Sequence, residues 1–243
     1  FTYRTGTFFA NSKMDFRDWL YAMIMLANHG NAISSYQLAD DLDIPQKTAW
    51  YMLHRIRTAM AKENNQKLSG EVEIDETFVG GKNINRHKDK KVKKCQGRSF
   101  KDKTPVLGMV ERKGEVVTRV IKSTSRSEIT PIIQQFVDKR AVLYTDEWGG
   151  YDEIDKSYYH YTVDHGKGQY VNGRIYTNTI EGFWTGLKRG YIGIYHYMSP
   201  KHLQRYANEF TFRYNTRKVS DFHKFNLLLC NIKYRITYKQ LIA

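Results

Sequence analysis

Three carboxylates in this chain stand where metal-assisted phosphoryl chemistry needs them. Asp75 lies inside an alternating run, EVEIDETFVGG, over 71–81. Asp146 closes a short apolar run, AVLYTD, and Glu181 stands near the start of a helical pattern, NTIEGFWTGLKRG. Two-metal phosphoryl transfer uses carboxylates that converge from separate elements, one ion activating the attacking oxygen and the other stabilising the leaving one. Hard oxygen ligands select Mg²⁺ or Mn²⁺ rather than zinc. Taken singly, each acid also has an ordinary reading. Strand alternation puts Glu71, Glu73 and Asp75 on one face and Val72, Ile74 and Glu76 on the other, so Asp75 can belong to a solvated strand face. Asp146 can start a turn, and Glu181 can stabilise a helix N-terminus.

The charge distribution favours the chemical reading. The 243 residues carry a net charge of +14, an excess that attracts polyanions, nucleic acid above all. Residues 71–81 hold four acids and no base, whereas 82–103 hold ten bases against two acids and 178–243 hold eleven against three. An acidic spot between two basic regions repels DNA unless cations fill it, as expected of a metal site that touches phosphate. Hydrophobic residues make up 41%, enough for a core. Cys95 and Cys230 form neither a zinc motif nor a disulfide framework, so a reducing cytoplasm is expected. No apolar run is long enough to span a membrane, and no signal peptide is expected. A chain opening on Phe1 is expected to be a fragment or a processed form.

The elements that would position these acids follow from periodicity. Residues 14–28 have helical spacing and end at His29-Gly30-Asn31. Ser34 or Ser35 can cap a short helix, and Pro45 suits the first turn of the next. That second helix carries Gln46, Lys47, Thr48 and Trp50 near its start, which reads as a DNA-binding helix-turn-helix or as an ordinary helical hairpin. Residues 64–70 read as a linker, 71–79 as a strand, and 104–111 with 115–121 as a hairpin turning at Lys113-Gly114. A helix over 127–137, strands over 141–145 and 158–163, and helices over 178–190, 199–217 and from 225 complete the order. The expected fold is α/β: a ribonuclease-H-like mixed-sheet catalytic core over 71–220, preceded by a small all-α helix-turn-helix domain over 1–63 and followed by a helical tail over 221–243.

Other side chains have two readings. Lys90, Lys91, Lys93 and Lys94 lie in the basic loop, which either grips a DNA backbone or is simply solvated. Lys188 and Arg189 can contact phosphate or line a solvated helix face. Lys201, His202, Arg205, Glu209, Arg213 and Arg217 recur at helical spacing, as a basic face following DNA or as a face partly paired with Glu209. His196 can bind DNA or pack, His165 can lie near the metals or be structural, and Trp148 and Trp184 suit the core or a site wall.

The segments EIDETFVGGK, LYTDEWGGY and NTIEGFWTGLKRGYIGIYHYMSPKHLQRYANEFTFRYNTR resemble the ISXO-like insertion-sequence transposases. QLADDLDIPQKTAWYMLHRIR resembles the helical region that precedes the catalytic domain in that family. The resemblance implies a ribonuclease-H-like core with DDE chemistry and supports Asp75 and Asp146 as metal ligands. It leaves the third acid open, because NTIEGFW supplies both Asn178 and Glu181. Glu181 is the first choice, since Lys188 follows seven residues later on the same helix face, a spacing that recurs in DDE transposases. Asn178 is the alternative or a helper. Family members carry a zinc-ribbon-like segment ahead of the helical region, and this chain begins after that point.

The expected protein is therefore a cytoplasmic, nucleoid-associated bacterial transposase acting on double-stranded DNA, both transposon ends and target. It would free a 3′-OH and join it to target DNA with Mg²⁺ or Mn²⁺. Joining two ends implies a homodimer or a higher synaptic assembly. A non-catalytic helix-turn-helix regulator, a nuclease that cuts without joining, and a decayed copy are the alternatives.

Overall fold

The computed structural model describes residues 4–30, 32–61, 66–81, 87–92, 99, 102–146, 151, 158–163, 176–233 and 236–242. They divide into two units, each discontinuous in sequence: 1–62 with 189–196 and 208–243, and 63–188 with 197–207.

The first unit is helical. Its helices are α1 (Phe16–Asn28), α2 (Ser35–Leu42), α3 (Gln46–Ala59), α7 (Asp221–Cys230) and α8 (Tyr238–Ile242). Asp15 caps α1 through Arg17 N–H, and Ser34 caps α2 through Gln37 N–H. Asp43, in the left-handed region at φ 50°, ends α2, and Pro45 stands as the N-cap of α3. Trp19, Met23, Leu26, Leu38, Met52, Leu53, Ile56, Phe212 and Leu228 fill the core between these helices. Each such side chain stabilises the unit by about 1.5–3 kcal/mol on burial.

The second unit holds a five-stranded sheet in the order β3-β2-β1-β4-β5. Strands β1 (Glu71–Val79), β2 (Thr104–Glu111) and β3 (Val116–Val120) run antiparallel in sequence, and β4 (Val142–Asp146) and β5 (Tyr159–Val163) add on the other side in parallel. A three-strand meander followed by parallel strands beside its first member is the ribonuclease-H-like topology. Val72, Ile74, Leu107, Met109, Val117 and Leu143 point to one face and pack with Ile129, Ile133 and Phe136 of α4 (Arg126–Phe136). The opposite face takes α5 (Asn178–Gly190), which continues into a π-helical turn, Tyr191–Tyr195. Helix α6 (Leu203–Asn215), whose first residues, 203–207, belong to this unit and the rest to the first, follows a 3₁₀ turn, Pro200–His202. Near its start, Gln204 accepts from Val120 N–H at 2.7 Å and donates to Thr118 O at 3.2 Å, covering the open edge of β3.

Several expected elements shift. The helix expected over 199–217 is a 3₁₀ turn followed by α6, because Pro200 opens the turn. The tail helix begins earlier than expected, at Asp221, where Ser220 caps it through His223 N–H. Within the expected linker, Leu68 bridges to Val137 and is 3% exposed, so it belongs to the core.

Candidate active site

Two of the candidate acids lie on adjacent parallel strands. Glu71, Val72 and Glu73 of β1 pair with Val142, Leu143 and Tyr144 of β4 in parallel, and Asp75 and Asp146 each lie two residues beyond the last of these pairs. Neighbouring strands lie about 4.8 Å apart. By alternation Asp75 shares a face with Glu71 and Glu73, and Asp146 shares it with Tyr144. Tyr144 donates its hydroxyl to Glu71 at 3.2 Å, so both sets point the same way. This is the face that α5 covers.

Helix α5 is seated on that face at two points. Glu73, fully buried, accepts at the helix start from Thr179 N–H (2.8 Å), Thr179 Oγ1 (2.9 Å) and Ile180 N–H (3.1 Å). These backbone donors have no partner within the helix, and a carboxylate there also meets the positive end of the helix dipole. Arg112 Nε donates a fourth bond to Glu73 at 2.7 Å, so two bonds reach each carboxylate oxygen. Further along, the Trp184 indole N–H donates to Asp75 Oδ2 at 3.0 Å.

A glycine makes that second point possible. Gly108 of β2 stands directly opposite Asp75 in the β1–β2 ladder. A Cβ there would lie 2.5 Å from Trp184 Cζ2 and 2.8 Å from Ile180 Cδ1. Only a bare backbone lets the indole lie flat on the sheet and reach Asp75.

Arg112 sits just past the end of β2. Its guanidinium lies 4.1 Å from the centroid of Tyr144 and 3.7 Å from that of Tyr176, and it also bonds Glu71 and Tyr176 O. Burial alone would depress this group, but its hydrogen bond to Glu73, the charge of Glu73 and its hydrogen bond to Glu71 outweigh that and raise it above its ordinary value. On the far face of β1, Tyr151 donates to Glu76 Oε1 at 2.6 Å and is 1% exposed. Burial, then Glu76, then the charges of Asp75 and Asp146, hold its hydroxyl well above the usual tyrosine range. The negative potential of both aspartates is thus felt at one buried hydroxyl.

The helical candidates are exposed. Glu181 accepts from Thr177 Oγ1 at 3.2 Å, while Asn178 and Lys188 face solvent. Glu181 precedes Trp184 by three residues and Lys188 follows it by four, so all three share one flank of α5. Asn178 lies further round the helix. Among the described residues, no group of three or more His, Cys, Asp or Glu side chains is close enough to hold an ion. The described geometry therefore puts Asp75 and Asp146 on adjacent parallel strands and Glu181 on the flank of the helix over them.

The candidate DNA contacts are distributed over both units. On α3, Lys47 is exposed, Gln46 donates to Ser35 Oγ at 2.7 Å, Thr48 is half-buried, and the Trp50 ring meets His54 at 4.4 Å. Arg189 and Lys201 are exposed, whereas His202 and Arg205 bond each other at 2.8 Å. Burial lowers the Arg205 guanidinium from its ordinary value. Lys91 is exposed, while Lys93, Lys94, the Lys90 side chain, Trp148 and His165 lie outside the described residues. Of the two readings of α6, its middle takes the paired one. Glu209 is fully buried and bound by Arg57 (2.8 Å), Arg213 (2.9 Å) and the Tyr195 hydroxyl (2.8 Å).

Sequence reasoning did not single out Arg112, Gly108 or the seating role of Glu73. The signal for Glu73 was its shared face with Asp75, but alternation cannot tell a solvated face from one covered by a helix.

A family model described as ISXO2-like transposase domain matches residues 67–215. An uncharacterised protein in transposable element ISH50 of Halobacterium salinarum is 28% identical over 222 residues, covering 88% of this chain and 74% of that protein. An uncharacterised transposase-like protein of Haemophilus influenzae is 27% identical over 108 residues, 44% of this chain and 86% of that one. The crystal structure of the Mos1 strand transfer complex aligns with a TM-score of 0.32 at 11% identity, covering 93% of this chain and 81% of that one.

Proposed function

From the premise that the chain belongs to the ISXO2-like transposase family, we propose that it cleaves the ends of its insertion sequence and joins the freed 3′-OH to target DNA. Asp75, Asp146 and Glu181 are the proposed ligands of Mg²⁺ or Mn²⁺. The observation that supports this reading is the Trp184 N–H bond to Asp75 on β1, the strand paired in parallel with the one that ends at Asp146. The donor chemistry suits the ions: Asp75, Asp146 and Glu181 are carboxylates, the hard oxygen ligands that Mg²⁺ and Mn²⁺ take. When bound, such ions polarise the phosphodiester and activate the attacking oxygen.

The chain's own residues have separate tasks. Asp75 and Asp146 supply negative charge from a rigid sheet. Trp184 fixes the orientation of Asp75 through its N–H and walls the site. Lys188, exposed on the flank of Glu181, is placed to meet a phosphate. Glu181 is preferred to Asn178 as third ligand because it shares the flank of Trp184 and carries a full charge. The α2–turn–α3 segment, with Lys47 exposed at its second helix, is the proposed helix-turn-helix contact to duplex DNA, with the basic loop and Lys201 adding phosphate contacts. Two ends must be held together, so the working form is a homodimer or a larger assembly.

The test is cleavage and joining on DNA carrying the flanking inverted repeats, with Mg²⁺ or Mn²⁺ and an EDTA control. Asp75→Ala and Asp146→Ala abolish both steps and leave DNA binding intact or stronger, because each removes a ligand and also a charge that repels phosphate. Cutting at near wild-type rate by either variant would sink the assignment. Cutting without joining would identify a nuclease, and DNA binding without cutting a regulator.

A further inference from the structure

We infer that Glu73 and Arg112 form a positioning pair that sets the register of α5 on β1 and thereby the distance from Glu181 to Asp75. This rests on the proposed ligand set.

A rigid helix held at one point can still pivot, whereas two anchors fix its rotation and its slide. Helix α5 has two anchors on the same strand. Thr179 and Ile180 are tied to Glu73, and Trp184 is tied to Asp75 two strand positions on. Glu181 lies between the anchors, so a shift of the first tie by half a helical residue would move its carboxylate by about 0.75 Å along the axis.

Glu73 cannot be a ligand itself. Its two oxygens accept from Arg112 Nε, Thr179 N–H, Thr179 Oγ1 and Ile180 N–H, which fills the lone-pair sites a carboxylate offers. Arg112 is in turn held by Glu71, by Tyr176 O and between two tyrosine rings. The pair thus links β1, the end of β2, β4 and the entry to α5 at one place.

The experiment measures Mn²⁺ binding to the full chain without DNA, by the paramagnetic resonance of free Mn²⁺, and then cleavage as a function of Mn²⁺ concentration. Residues that orient metal ligands change affinity by about 10–100-fold when substituted. Glu73→Gln is expected to weaken Mn²⁺ binding by about 10-fold, with a cooperative melt retained and cleavage largely restored at high Mn²⁺. Asp75→Ala is expected to lose binding and not to be rescued. A purely structural glutamate would lower the melting temperature without moving the Mn²⁺ dependence. Wild-type Mn²⁺ affinity in Glu73→Gln, with binding lost in Asp75→Ala, would overturn the positioning role and leave the ligand reading standing. Wild-type affinity in Asp75→Ala would overturn the ligand reading itself. If Glu73→Gln does not fold, Thr179→Ala removes one of the four bonds; a several-fold loss of Mn²⁺ affinity supports the role and an unchanged affinity overturns it.

Discussion

Gly108→Ala adds one methyl group, and the geometry predicts a large effect from it. The new carbon would lie 2.5 Å and 2.7 Å from two indole carbons of Trp184 and 2.8 Å from Ile180 Cδ1. The indole is rigid and 3% exposed, so it cannot yield by a rotamer twist of its far end. Overpacking of this kind costs about 1–3 kcal/mol. If the indole lifts off the sheet, its bond to Asp75 is lost as well, a further 1.5–3 kcal/mol or so for a bond to a charged group. The sum, about 2.5–6 kcal/mol, lowers the melting temperature of the sheet-bearing unit by about 5–24 °C at about 2–4 °C per kcal/mol. Calorimetry or near-ultraviolet dichroism with temperature measures it, and cleavage should fall at least tenfold because α5 moves. The control is Trp184→Phe, which removes both indole carbons at the clash. In that background Gly108→Ala should cost much less, so the two changes are strongly non-additive. A Gly108→Ala protein that melts within a degree of wild type and cleaves normally would refute the close seating of α5 on β2.

Glu181→Gln should eliminate cleavage at saturating Mn²⁺ while Asn178→Ala only reduces it; the reverse order would make Asn178 the ligand, and comparable losses would defeat the simple triad. Glu209 is buried, which raises its carboxyl, but Arg57 and Arg213 outweigh this and hold it below its ordinary value. A depressed carboxylate adds stability above its unfolded pKa of about 4.3 that is lost as pH falls through the folded value, so the helical unit should soften below about pH 4. Dichroism against pH measures this, and Glu209→Gln should remove that acid limb while costing about 3–5 kcal/mol at neutral pH, since it leaves Arg57 buried without its carboxylate. Neutralising the lysines and arginines of residues 82–103 should flatten the slope of log DNA affinity against log salt; an unchanged slope would mean that the loop does not touch DNA.

The strands and most helices were legible because their periods are clean: EVEIDETFV alternates, and NTIEGFWTGLKRG repeats its apolar positions at helical spacing. Asp75 and Asp146 were legible only as two acids at strand positions; that their strands are parallel neighbours is a tertiary fact. Glu209 shows the limit more sharply. Its spacing with Arg205, Arg213 and Arg217 fits a solvent-facing basic stripe, and only the fold reveals that Arg57, 152 residues away, meets it in a buried network. Gly108 was silent for the same reason: a glycine inside a strand signals close approach of something, but not of what.

The row of acids on β1 raises an electrostatic question that the fold answers. Glu71, Glu73 and Asp75 project from one face at intervals of about 6.7 Å, and like charges so spaced repel by about 2–3 kcal/mol per pair at an effective dielectric constant near 20. Left alone, three such charges would spread a diffuse negative field along the strand. Arg112 binds both glutamates, and the N-terminus of α5 adds about half a positive charge at Glu73. Positive charge close to the two glutamates therefore offsets most of theirs, and the field that remains is centred on Asp75. Asp146, at the end of the adjacent parallel strand, adds to it. The same positive groups that seat the helix thus leave the attraction for a cation centred on the proposed ligand Asp75. Replacing Arg112 with Gln should consequently disturb both properties together, loosening α5 and widening the negative field, whereas replacing Lys188 should disturb neither.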